Sequence, residues 1–431
     1  MRVRGAWSML CVLCCVLSGP PVVLAGPIGV AVPRPAPPVE AAYRRGVESL
    51  GRGDLREAEA AFKEAVQLEP RAIQPLLGLA DVALKQGNTK QVEAYLQQAL
   101  SVAPNSVEVH AAWGRYLFLQ KRFPEAETAF KKAIAFDPKA VAPHLELGEL
   151  YLSGLRKPKE AIEAYRAALA LDQSHAGAHY KLGQALAANG ELEAAQKELQ
   201  EAHLLAPNDP LPLQTMGQLH AMRQEYEKAL QAFAEALKIQ PKFVQAYLAR
   251  GDVYLAQGQA EKAVTEYQAA LQVAPKFAPA QVKLGMLYEG LKRADEAEKA
   301  YLAAIEQDSN QSIAYNNLAW LSAERRTRLD EALTWAKKAV ELEPKVSQFQ
   351  DTLGWVHRAR GELEKAAGVL QKAASMDPQQ AVIWYHLALV HGERKKPKEA
   401  VSALKQALKL QQEFPGIEEA RKLLTELEKK S

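Results

Sequence analysis

The chain has 431 residues, 48% hydrophobic and 24% charged, with 54 Lys and Arg against 51 Asp and Glu. That balance excludes a chain disordered overall, and a net charge of +3 excludes the basic excess that drives nucleic-acid binding. A single hydrophobic core stops growing near roughly 250–300 residues, so several domains or a repeat array is required.

Residues 1–25 read as a secretory signal. Arg2 and Arg4 give a positive start, Met9 to Leu17 is almost wholly apolar, and Val23-Leu24-Ala25 places small residues at the cleavage positions. Cleavage is expected before Gly26. The apolar run is short against the about 20 residues of a spanning helix, and an uncleaved anchor is the alternative. The three cysteines, Cys11, Cys14 and Cys15, all lie in this segment, and the residues before them do not suit a lipid-anchored signal. After cleavage no cysteine remains for disulfides, thiolate catalysis or metal ligation. Gly26 to Pro38 carries five prolines in thirteen residues and forms an extended spacer. Together these segments imply an exported protein, periplasmic or envelope-associated, with no stable membrane span after cleavage.

From residue 39 to 414 the chain repeats. Pro70, Pro104 and Pro138 are 34 apart, as are Pro207, Pro241 and Pro275. This ruler divides the stretch into eleven units, nine of 34 residues and two of 35. The eighth position is Gly or Ala throughout, from Gly46 to Ala388, and the twenty-seventh is always Ala, from Ala65 to Ala407. The twentieth is Ala except at Val92. The twenty-fourth is large and apolar, as in Phe62, Phe130 and Tyr301, except at Ala336. Small residues at fixed places let two helices approach, and a large residue fills the space beside them. Glycine-rich signals such as Gly51-Arg52-Gly53-Asp54 and Asn189-Gly190 mark turns between the halves. The extra residues fall near Arg156-Lys157-Pro158 and Arg325 to Leu329, where they are expected to bulge outward. Residues 415–431 read as a closing cap helix, with Ile417, Leu423, Leu424 and Leu427 covering the last unit.

These columns resemble those of the tetratricopeptide repeat family, whose unit is a helix–turn–helix of 34 residues. The resemblance implies an all-α fold, a right-handed α-solenoid of about eleven repeats with a C-terminal cap helix. Such an array offers a long concave surface lined by the first helix of each unit, suited to an extended peptide or a partner helix. It gathers no deep catalytic pocket, so a non-enzymatic scaffold is expected, with no catalytic residues, cofactor or metal. His110, His144 and His179 share the fourth position of three successive units. Stacked helices about 8–10 Å apart make that column a poor chelate, so these are surface or packing histidines.

The resemblance also implies that the second, fifth, ninth and twelfth positions of each first helix face inward. No Lys stands at the fifth position, which argues against the family's clamp for chaperone C-termini. The ninth position turns aromatic late, at Trp320 and Trp355. Asn316 and Asp351 each lie four residues earlier on the same helix face, and Tyr385 takes the fifth position of the last unit. These five residues are the candidate partner-binding groove; the competing reading makes the two tryptophans structural filler. The strings Tyr315 to Trp320 and Asp351 to Trp355 resemble a pair recurring in exported bacterial tetratricopeptide proteins, some linked to exopolysaccharide synthesis or export. The expected partners are other envelope proteins or peptide segments. The alternative is direct binding of polysaccharide or peptidoglycan, with the two tryptophans stacking on sugar rings.

Overall fold

The computed structural model describes residues 37–410 and 413–429. The signal and nearly all of the spacer therefore lie outside the described residues. The described chain is helical without strands, and it divides into two compact units, before and after residue 240.

The N-terminal unit holds six hairpins. They are α1 (Pro37–Arg52) with α2 (Leu55–Leu68), α3 (Ile73–Lys85) with α4 (Thr89–Val102), and α5 (Val107–Leu119) with α6 (Phe123–Phe136). Next come α7 (Val141–Glu149) with α8 (Pro158–Leu171), α9 (Ala176–Ala188) with α10 (Leu192–Leu205), and α11 (Leu211–Met222) with α12 (Tyr226–Ile239). The C-terminal unit holds five. They are α13 (Val244–Ala256) with α14 (Ala260–Val273), α15 (Ala278–Gly290) with α16 (Ala294–Gln307), and α17 (Ser312–Arg325) with α18 (Leu329–Leu342). The last two are α19 (Ser347–Ala359) with α20 (Leu363–Met376) and α21 (Ala381–Glu393) with α22 (Pro397–Lys409), followed by the cap helix α23 (Ile417–Glu428). The last two spacer residues, Pro37 and Pro38, already stand in the first turn of α1, where a missing N–H costs nothing.

In eight of the eleven hairpins a side chain of the second helix lies where the first helix has a glycine. A Cβ on Gly217 would stand 2.5 Å from the Phe233 ring, and one on Gly114 would stand 2.5 Å from Phe130. Gly46, Gly148, Gly251 and Gly285 meet Phe62, Tyr165, Tyr267 and Tyr301 in the same way. Alanine occupies the eighth position only at Ala80, Ala319 and Ala388, where the twenty-fourth residue is the smaller Leu96, Ala336 or Leu404. In the Ala336 hairpin the neighbouring Trp335 is buried instead. The two columns are therefore sterically coupled.

Every turn inside a hairpin contains a residue in the left-handed region. Gly53, Gly87, Gly190, Gly258 and Gly361 supply it in five turns. Lys121, Arg156, Gln224, Lys292, Arg326 and Lys395 supply it in the other six. The sequence signals for glycine turns thus found fewer than half of them. The extra residue of the fourth unit does not bulge out of the turn. It is absorbed at Leu150–Gly154, where the end of α7 widens into a π-helical turn and Leu155 N–H reaches back to Leu150 C=O at 2.9 Å. The extra residue of the ninth unit stays in its turn, which holds two left-handed residues, Arg326 and Arg328.

Gly217→Ala is expected to destabilise the chain by about 1–2 kcal/mol, because overpacking outweighs the helix-propensity gain of about 1 kcal/mol. Adding Phe233→Leu should recover most of the loss, as measured by urea titration. A neutral Gly217→Ala would show that the contact is not tight. Lys292→Gly, by relieving a left-handed side chain, should stabilise by about 0.5–1 kcal/mol in the same assay.

Candidate partner-binding groove

The first helices present their polar side chains to each other across neighbouring units. Arg115 Nη1 donates to Glu146 Oε1 at 2.5 Å, and Lys181 Nζ pairs with Glu149 at 2.8 Å. In the C-terminal unit Lys283 Nζ donates to Asp252 at 2.8 Å. Each pair links the ninth position of one unit to the sixth of the next. Burial raises the pKa of Glu146 in spite of Arg115. Burial acts on Glu149 too, but the charge of Lys181 and hydrogen bonds from Lys181, Ser153 and Tyr165 outweigh it, and its pKa is lowered. Much of the polarity that the ninth position showed in the sequence is thus consumed between repeats. The sixth position carried no recognised pattern, although the charges opposite Arg115, Glu149 and Asp252 were readable at a spacing of about one unit.

The candidate residues come together on α17, α19 and α21. Trp320 and Trp355 are stacked, with ring centroids 5.5 Å apart and planes 16° from parallel. His386 lies against both, 4.3 Å from Trp355 and 5.5 Å from Trp320. Its Nδ1 stands 2.9 Å from each Asp351 carboxylate oxygen. The Trp355 indole N–H donates to Glu324 at 2.5 Å, and the Arg358 guanidinium sits over the Trp355 ring at 4.2 Å while donating to Glu393 at 2.6 and 2.9 Å. Tyr385 packs on Phe414 at 5.4 Å, and a Cβ on Gly416, at φ 91°, would meet its ring at 2.5 Å. Burial, aided by the charge of Glu419, raises the Tyr385 pKa.

These side chains border an open cavity of about 450 Å³. Trp320, Trp355, Tyr385 and Leu389 give it apolar walls, with Glu324, Arg326 and Arg358 among its charged lining.

Three of the five candidates line this cavity, and two do not. Asp351 is buried and committed to His386. Asn316 donates to Asn317 at 3.0 Å, and its own carbonyl oxygen is buried without a partner. The tryptophans divide the competing readings between them. Trp355 is only 9% exposed and is held on several sides, whereas Trp320 is half-buried. His386 and Arg358 were missed; a search of the sixth and twelfth positions, in addition to the fifth and ninth, would have found them.

The histidine column has a structural use. His110, His144 and His179 each bring Nε2 to the backbone carbonyl six residues earlier, at 2.8, 3.3 and 3.1 Å. Tyr247 and Trp384 donate to the same place, to Pro241 and Pro378, at 3.2 and 3.0 Å. A polar ring at the fourth position thus ties down the carbonyl of the residue that closes the preceding unit. Among the described residues no group of His, Cys, Asp and Glu is arranged to hold a metal, and no helix is long and apolar enough to cross a membrane.

Repeated helical hairpins sharing a small-residue column and an inward polar face define a helical-repeat scaffold. Tetratricopeptide repeat models match residues 49–115, 107–140, 176–209, 282–346 and 352–416, and a TPR repeat model matches 157–190, 217–258 and 251–292. The chain belongs to the tetratricopeptide repeat family. All the matched models describe repeats, and none describes a catalytic domain. No curated protein matches the chain in sequence. Among solved structures, MamA is 31% identical over 38% of this chain and 96% of its own, with a TM-score of 0.35. Yeast Tom70 is 15% identical over 90% of this chain and 95% of its own, with a TM-score of 0.43. PilF of Pseudomonas aeruginosa is 19% identical over 52% of this chain and 97% of its own, with a TM-score of 0.42. With TM-scores below 0.5, none of the three says what this chain binds.

Trp355→Ala is expected to destabilise the C-terminal unit by about 3–5 kcal/mol, the usual cost of removing a buried aromatic. Trp320→Ala should cost clearly less, because its side chain is half-buried. Thermal unfolding of both variants checks the order; equal losses would make Trp320 as structural as Trp355.

Proposed function

We propose that the cavity beside α17, α19 and α21 is the anchor point at which this scaffold captures a segment of a partner protein. The observation that carries this reading is the juxtaposition of half-buried Trp320 with Tyr385 and Leu389 around a cavity of about 450 Å³, with charged groups at hand. Binding hot spots have this composition, an aromatic anchor in a largely preformed pocket ringed by polar groups. The surrounding pairs, Asp351 with His386 and Arg358 with Glu393, fix the walls before a partner arrives, which lowers the ordering cost of binding. The role is binding without chemistry.

The signal-like residues 1–25 support a place in the cell envelope, and the strings around Trp320 and Trp355 support a role beside exopolysaccharide synthesis or export. Direct sugar binding is the weaker reading. Stacking on a sugar needs an exposed ring face, and Trp355 is 9% exposed beneath Trp320, His386 and Arg358.

A photo-crosslinking residue at Leu389, inside the cavity, should trap a discrete protein partner in cells. The same residue on the exposed Lys365 should not, and Trp320→Ala should abolish the crosslink. An equal yield at both positions, or a crosslink indifferent to Trp320→Ala, argues against the groove. Determining the N-terminal residue of the exported chain separately tests the envelope assignment, with Gly26 expected.

A further inference from the structure

Four inward carboxylates have a lysine or arginine near them, and a fifth has an imidazole. Glu146 has Arg115, Glu149 has Lys181, Asp252 has Lys283 and Asp351 has His386. Asp81 lies in the field of Arg115 and Lys85. Glu289, at the twelfth position of the eighth unit on α15, breaks the pattern. Burial raises its pKa against a hydrogen bond from Tyr301, and among the described residues it makes no ion pair.

What holds Glu289 is a chain of neutral groups. Tyr301 Oη donates to Glu289 Oε2 at 2.8 Å, Asn317 Nδ2 donates to Tyr301 Oη at 3.1 Å, and Asn316 Nδ2 donates to Asn317 Oδ1 at 3.0 Å. All three donors are oriented toward the carboxylate, so their dipoles reinforce one another around its charge. The far end of the chain, Asn316 Oδ1, is buried and has no donor. One end is therefore an anion without a counter-charge, and the other is an acceptor without a hydrogen. Trp320 lies one turn beyond Asn316 on α17, and Met286 lies one turn before Glu289 on α15, so apolar surface flanks both ends.

We propose that Glu289 forms a cation subsite of the groove and takes a lysine ammonium or arginine guanidinium from the bound segment. Met286, one turn before Glu289 on the same helix, offers apolar surface to the stem of that side chain. The proposal rests on the groove reading above and adds to it the chemistry of the partner: a basic residue next to an apolar one. An ion pair formed in this partly desolvated place supplies the counter-charge that Glu146, Glu149 and Asp252 already have. The cost of keeping Glu289 without it in the free protein is the kind of local frustration that binding sites retain.

The test titrates the intact chain with two peptides, acetyl-Leu-Lys-Leu-amide and acetyl-Leu-Gln-Leu-amide, followed by tryptophan fluorescence. The lysine peptide should bind about tenfold more tightly than the glutamine peptide, and the preference should shrink with added salt. Glu289→Gln keeps an acceptor for Tyr301, so it should fold at least as stably as the parent while the preference falls to about one. Trp320→Ala should weaken both peptides alike. A lysine preference that is missing from the parent, or that survives Glu289→Gln, overturns the cation subsite. If both peptides bind equally and both are lost in Trp320→Ala, the groove stands and the subsite falls. If neither peptide binds, the subsite and the groove reading fall together.

Discussion

The close approach of two helices at one small residue organises everything else in this chain. Where the eighth position lacks a side chain, the twenty-fourth residue fills the space, with a ring in six hairpins, as Phe233 does against Gly217, and with Leu199 and Leu370 in the other two. Where it carries a methyl, the opposing residue shrinks to Leu96, Leu404 or Ala336. Interiors tolerate neither voids nor overlap, so the hairpin geometry repeats because this pair repeats. Once the hairpins are alike, their first helices present the same positions to one side of each unit, and a groove follows.

Ion pairs between neighbouring units run along that face. Carboxylates at the ninth position find cations at the sixth position of the next repeat, as Asp252 finds Lys283 at 2.8 Å. Such pairs link neighbouring units and engage part of the charge on the first helices. The proposed binding site and cation subsite both fall where this pattern lapses. In the last units the ninth position becomes aromatic, and in the eighth unit an inward carboxylate meets tyrosine and asparagine where a cation stands elsewhere. Both lapses lie in the C-terminal unit.

Trp320 and Trp355 show how one sequence column can hold two roles. They occupy the same position in adjacent repeats and stack on each other. Trp355 is locked by an indole hydrogen bond to Glu324, by the Arg358 cation and by His386, so it behaves as a wall. Trp320 keeps part of its surface free and is the better contact.

By itself the sequence determined the period, the number of hairpins and the identity of the close-contact columns. Those features are set by side-chain size and by spacing along one chain, and both are legible in letters. It also pointed to the C-terminal concentration of tryptophan. The partners of polar groups were decided only by tertiary structure. Asp351 looked free and is bound to His386, 35 residues away. The histidine column read as surface or packing residues, and the structure shows the carbonyls that it ties down. The extra residue of the fourth unit looked like a loop and became a π-helical turn. Six turns without glycine are left-handed all the same. Each of these depends on which group lies within about 3 Å once neighbouring hairpins have stacked, a distance that spacing along the chain does not encode.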